Sequence, residues 1–175
     1  MPGSDSDAIP RSIAITTDRQ RWLLLNVSSD AAHDTRLRAA AEAGEIAGVV
    51  LLDGRHEHTA GLAALCGDRP VDVFTTPGVF EGLAEAAPTL GLLDGRCTLR
   101  WHLLPISGDV RSADFRIAAL PALQCRALAA DDLSSFGERI VLEIDDTDTG
   151  QCLYYAGGQR PCWVGDDTPR LGAGA

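Results

Sequence analysis

Apolar residues come in short bursts along this chain, and the spacing inside each burst sets the element it predicts. Ser12 to Thr17 alternates, and Arg21 to Val27 follows after only Asp18-Arg19-Gln20. Two strand-like runs joined by three polar residues read as a hairpin. Trp22-Leu23-Leu24-Leu25 is apolar on both faces, which predicts a central strand covered on each side. Ser29 or Asp30 then offers an N-cap for an Ala-rich helix over Ala31 to Ala43, stopped by Gly44.

The next burst, Gly48 to Leu52, is β-branched at Val49 and Val50 and ends abruptly in a polar loop, Asp53-Gly54-Arg55-His56-Glu57-His58. Thr59 to Cys66 is read as helical, with Gly67 ending it. A buried strand feeding a charged loop and then a helix is a common way to hold reactive side chains at the carboxyl end of a sheet. Val71 to Thr75 predicts a short strand. Thr76-Pro77 supplies a cap and a first-turn proline for a helix to about Ala87.

Beyond that the pattern becomes strand-like at turn-separated intervals: Cys97 to Leu104, Asp114 to Leu120, Arg139 to Ile144 and Cys152 to Tyr155. Phe115, Ile117 and Ala119 alternate with Arg116 and Ala118, one buried face. The turn formers from Asp145 to Gly150 join the last two strands as a hairpin. The run lacks the distal glutamate of a calcium-binding loop and is read as a turn. The organisation expected is a flexible leader at 1–11, one domain over 12–158 and an irregular tail at 159–175.

Composition narrows the function. The net charge is −10 and every basic residue is arginine, so an acidic surface without a basic stripe argues against nucleic acid. No apolar run reaches the roughly 20 residues that span a bilayer, and the polar start is unlike a signal peptide, so the expectation is a cytoplasmic protein without a membrane partner. Cys66, Cys97, Cys125, Cys152 and Cys162 are scattered with no CxxC pair and are read as free thiols. No GxSxG, P-loop or flanked GxGxxG motif is present, which sets aside serine hydrolases, NTPases and dinucleotide enzymes.

With strand, loop and helix laid out, Leu52 to Leu62 resembles the HxHxDH motif of the metallo-β-lactamase superfamily, which is followed by a helix containing Gly-Leu. Aligned on His58 and Gly61, the first His of that motif falls on Asp53, the second on Arg55, its Asp on Glu57 and its last His on His58. An Asp in the first place is similar to one branch, the coenzyme PQQ synthesis protein B family, whose loop reads D-A-Q-x-D-H-T-x-G-L. Arg21 to Asp30 (RWLLLNVSSD) resembles that family's R-W-L-L-L-N-A-S-P-D. Leu99-Arg100-Trp101-His102 matches its L-R-W-H, and Leu153-Tyr154-Tyr155-Ala156 resembles its L-F-Y-A. Here Arg55 stands for the family's Gln, Glu57 for its Asp, and His56 is added. The family's later histidine motifs would lie beyond Ala175.

The resemblance implies a mixed α/β (α+β) fold: a metallo-β-lactamase-like αββα sandwich present as its N-terminal half or slightly more. It implies Asp53, Glu57 and His58 as metal ligands, with Glu57 and His58 catalytic. Carboxylates and imidazole suit Fe or Zn, although the metal can also be absent. Asn26, Ser28 and Asp30 would support the metal loop from behind the central strand, with Arg55 and His56 beside it. Plain capping accounts for Ser28 and Asp30 equally, and Arg55 pairing with Asp53 or Glu57 accounts for the charges. His102, Trp22 and Trp101 are read as core.

The activity implied is metal-dependent oxidation or hydroxylation of a tyrosine-derived precursor in PQQ-type cofactor biosynthesis. The alternative is a non-catalytic carrier that binds a small-molecule or peptide-derived precursor, the product or a pathway protein. A half-sandwich would leave an apolar sheet face bare, so a homo-oligomer or a partner-bound subunit is expected.

Overall fold

The computed structural model describes residues 12–86, 98–134, 137–157 and 160–164. The expected leader up to residue 11, Cys97, the end of the helix at Ala87 and the tail beyond 164 lie outside the described residues. Among those described, two five-stranded sheets carry the fold. The first runs β1 (Ile13–Ile15), β2 (Trp22–Leu25), β3 (Ile46–Val50), β4 (Val71–Thr75) and β5 (Leu99–Leu103), in that order. The second runs β6 (Ser112–Arg116), β7 (Leu123–Ser134), β8 (Gly137–Asp146), β9 (Gln151–Ala156) and β10 (Cys162–Val164).

β1 and β2 form the expected antiparallel hairpin, and β2 to β5 are parallel. Parallel neighbours need crossovers, which α1 (Thr35–Ala43), α2 (His56–Thr59) with its continuation, and α3 (Pro77–Ala86) provide. The second sheet is antiparallel throughout, made of hairpins and short turns.

Alternation along β2 divides the core in two. Leu23 and Leu25 point between the sheets, where Val50 and Leu52 meet Leu123, Leu142, Ile144 and Tyr155. Leu24 points the other way, where Val49 and Leu51 meet Leu62, Leu65, Val79 and Leu83 beneath the helices. A central parallel strand buried on both faces reads as an unbroken apolar run for this reason. The layering is helices, sheet, sheet. The outer face of the second sheet carries charge. Exposed Asp114, Arg126 and Asp145 line it, with an Arg126–Asp114 bond of 2.7 Å. That face is solvated by its own charges.

Several boundaries move, each for a local reason. Asp30–His33 is a 3₁₀ turn, and α1 begins later because Asp34 caps it, accepting from the Arg36 N–H at 2.8 Å. Gly44 ends α1 in the left-handed region, as expected. Thr76 caps α3 through the Val79 N–H. β6 stops at Arg116, and Ile117 and Leu120 are buried in the turn that follows. β7 is a strand that the sequence reading passed over. Leu123, Cys125 and Ala127 alternate inward against exposed Gln124 and Arg126. β10 lies within the stretch after Gly157 that shows no periodicity.

His102 is not a core histidine: 47% of its side chain is exposed. It sits on edge strand β5, bonded to Asp72 at 2.8 Å and stacked on Phe74. Trp101, on the opposite face, does pack against the helix-side cluster. None of the four described cysteines forms a disulfide. No helix among the described residues is long and apolar enough to cross a membrane.

Candidate functional site

β3 delivers its last residues into a closed frame. Asn26, just past β2, adopts the left-handed region (φ 58°), which turns its side chain back along the sheet end. Its N–H donates to the Val50 carbonyl at 2.9 Å, and its Oδ1 accepts from the Leu52 N–H at 3.0 Å. The Leu52 carbonyl in turn accepts from Ile140 on β8 at 2.9 Å. Both sheets therefore fix the position of the next residue, Asp53, whose side chain is fully buried.

Asp53 Oδ1 accepts from the Arg55 N–H at 3.1 Å, an Asx turn that starts α2 at His56 rather than at Thr59. The same oxygen faces His58 Nδ1 at 2.8 Å, with His58 only 2% exposed. Beside a carboxylate, Nδ1 is the donor, so whenever the ring is neutral its lone pair falls on Nε2. That Nε2 lies 3.8 Å from Glu57 Oε1. Burial raises the Asp53 carboxyl, but the bond from His58, the charges of His58 and Arg55 and the Arg55 N–H together hold it below its ordinary value. Arg55 Nε stands 3.8 Å from Asp53 Oδ2, and its Nη1 stands 3.9 Å from Glu57 Oε1.

The loop is clamped to the strand end by backbone. Val27 N–H donates to the His58 carbonyl at 2.7 Å, and Gly61 N–H donates to the Val27 carbonyl at 2.9 Å. Gly61 has to be a glycine. A Cβ there would land on the Ser28 carbonyl oxygen and 2.6 Å from Val27 Cγ1. This close approach accompanies a tightening of the helix after α2 into the 3₁₀ form over Ala60–Leu65.

Of the residues singled out in the sequence, the structure brings Asn26, Asp53 and His58 together in the interior. Arg55 is half-buried and Glu57 is 47% exposed, so these two form the rim. His56 is exposed on the first turn of α2. Ser28 is buried and contributes through its backbone: its N–H donates to Ser12 Oγ at 2.7 Å and its carbonyl abuts Gly61. Asp30 is exposed in the 3₁₀ turn, outside the cluster.

Sequence reasoning missed Gly157, at the end of β9, which closes over Asn26, Asp53 and His58. A glycine immediately after Leu153-Tyr154-Tyr155-Ala156 was the only signal available. Among the described residues, two buried polar atoms of this site, Asn26 Nδ2 and Asp53 Oδ2, have no hydrogen-bond partner, the Arg55 Nε at 3.8 Å from Oδ2 lying beyond bonding distance.

Among the described residues, no group of three or more His, Cys, Asp or Glu side chains is arranged to hold a metal ion. The donor chemistry fits part of one. Asp53 Oδ1 is committed to His58, an arrangement that orients a metal-ligating imidazole. His58 Nε2 and Glu57 Oε1 are the pair left to face a cation, and two donors are half of a closed tetrahedral set.

A frame of two stacked sheets with a carboxylate-histidine loop at the carboxyl end of a parallel strand defines a lactamase-type protein. Residues 21–170 match the family model described as Beta-lactamase superfamily domain, and the chain belongs to that family. Within it, the chain falls in the branch of coenzyme PQQ synthesis protein B. It is 30% identical over 165 residues to that protein from Nitrosococcus oceani, covering 84% of this chain and 53% of the relative. It is 31% identical over 165 residues to the one from Azoarcus sp., covering 84% and 52%. The chain thus spans about half the length of these curated relatives. Among solved structures it resembles zinc-bound PqqB from Methylobacterium extorquens, with a TM-score of 0.60 and 22% identity over 85% of this chain and 52% of that one. A Cronobacter sakazakii metallo-β-lactamase follows, with a TM-score of 0.51, 15% identity and coverage of 82% and 51%. At these identities the likeness is one of fold.

Proposed function

We propose that this chain acts as a PqqB-like protein in the biosynthesis of coenzyme PQQ or a related peptide-derived cofactor, through metal-dependent oxidation or hydroxylation of a tyrosine-derived precursor. The observation that carries this reading is the orientation of His58. A buried carboxylate takes up Nδ1 at 2.8 Å and leaves Nε2 toward Glu57 Oε1. In this role His58 and Glu57 hold iron or zinc, and Asp53 keeps the imidazole in the ligating tautomer. Bound iron would supply one-electron chemistry with dioxygen as the oxidant, whereas bound zinc, which has no redox chemistry, would supply Lewis acidity alone. Glu57, at the exposed rim, is placed to accept a proton from a bound phenol.

The test is elemental analysis of protein purified without chelator, repeated on Glu57→Ala and His58→Ala. Stoichiometric iron or zinc that both variants lose supports the reading. Metal content unchanged by either variant sinks it.

A second reading has its own observation. The Arg55 guanidinium lies within 4 Å of both carboxylates and places a fixed positive charge where a cation would sit. On this reading the chain is a carrier that binds the precursor, the product, a second copy of itself or a pathway protein. Protein that stays metal-free in the presence of added zinc and iron, yet binds the precursor, would select it.

A further inference from the structure

The two unmet polar atoms at the site form a matched pair. Asn26 Nδ2 is a donor and Asp53 Oδ2 an acceptor, and both side chains are fully enclosed, so bulk solvent reaches neither. Both converge on Gly157. An ideal Cβ at that glycine would lie 3.5 Å from Asn26 Nδ2, 3.7 Å from Asp53 Oδ2 and 3.8 Å from His58 Cε1. Beside the bare Cα of Gly157, one donor and one acceptor face the same spot, and that pairing has a definite chemistry. A cation there would face the N–H of Asn26, and an anion would face the carboxylate of Asp53. A small neutral group that both accepts and donates satisfies the two at once, and at this size that is a water molecule.

We propose that this is the seat of one internal water, which accepts from Asn26 Nδ2 and donates to Asp53 Oδ2. Gly157 is then a positioning residue. By lacking a side chain it leaves room for the water that fixes the Asp53 carboxylate, whose other oxygen holds His58. Three strand ends meet on this molecule: β2 through Asn26, β3 through Asp53 and β9 through Gly157.

The test uses a pair of substitutions that packing and hydrogen bonding rank in opposite order. Gly157 is not in the left-handed region, and a Cβ there makes ordinary van der Waals contacts, so small side chains are accommodated. Gly157→Ala fills the space with a methyl group and strands both polar atoms. Its melting midpoint is expected to fall by roughly 4–8 °C. Gly157→Ser is larger, but its hydroxyl stands where the water stood and can make the same two bonds. Its midpoint is expected to lie above that of Gly157→Ala. A high-resolution crystal structure of the unsubstituted protein should show one ordered water between Asn26 Nδ2 and Asp53 Oδ2, absent in Gly157→Ala. The proposal is overturned by Gly157→Ser melting at or below Gly157→Ala, or by density in which the two atoms bond to each other or to other protein groups. Should neither variant fold, the density in the unsubstituted protein decides.

Discussion

Asp53 Oδ1 and His58 Nδ1 stand 2.8 Å apart with both side chains sealed from solvent, and this bond is the hinge of the loop. Removing one member of such a pair costs more than changing its charge. His58→Ala leaves a carboxylate buried without its partner and is expected to cost about 3–5 kcal/mol. Asp53→Asn can keep an oxygen toward Nδ1–H and should cost about 1–3 kcal/mol. Urea unfolding of the two variants checks the order, and equal losses would show that the bond is not what secures the loop.

Gly61 carries the contact between the loop helix and the end of β2. Gly61→Ala drives a methyl onto the Ser28 carbonyl and Val27, both backbone-anchored, and is expected to cost about 2–4 kcal/mol. Gly67→Ala is the control, because a Cβ at Gly67 meets nothing within 4 Å. A small effect at Gly61, matching the control, would mean that the clamp is looser than the structure has it.

Arg55 sets the charge at the rim. Arg55→Gln removes a cation that stands 3.8 Å from Asp53 Oδ2 and 3.9 Å from Glu57 Oε1. Zinc affinity, read by competition with a chromogenic chelator, should rise about tenfold. Unchanged affinity would show that Arg55 does not oppose a metal.

Acid sensitivity should appear in the first hairpin. Asp18 accepts from the backbone N–H groups of Arg21 and Gln20, each at 2.8 Å, and these bonds hold its carboxyl at about 2 rather than 3.8. A depressed carboxyl contributes stability above its unfolded value and loses it as pH falls through the folded one. The contribution is therefore complete above about pH 4 and drains away toward pH 2. Asp18→Asn should flatten the pH dependence of stability across that window, measured by urea midpoints. A curve that keeps its slope would assign the acid loss to other carboxylates.

Much of the first sheet was legible in the residues. The Trp22–Leu25 run predicted a strand covered on both faces, and burial on both sides of it is what the structure shows. Thr76-Pro77 and Gly44 marked helix ends because capping and left-handed glycine are local effects that need no partner. The metal-loop resemblance placed Asp53 and His58 at the end of a strand. The exposure of His102 was not legible, because an L-R-W-H run does not say that β5 is an edge strand. Nor was the polar outer face of the second sheet, since Gln124, Arg126 and Glu143 lie on strands whose pairing comes from register.

What the sequence alone determined is what neighbours along the chain can settle: periodicity, caps, turns and the residue types in the loop. The tertiary structure alone decided which atoms meet. Asn26, Asp53 and Gly157 are separated by tens to more than a hundred residues, yet β2, β3 and β9 end at one point. Whether Asp53 caps a helix, holds a histidine or meets a cation depends on distances of a few ångströms. Such distances are fixed by packing two sheets against each other, and no local pattern in the chain encodes them.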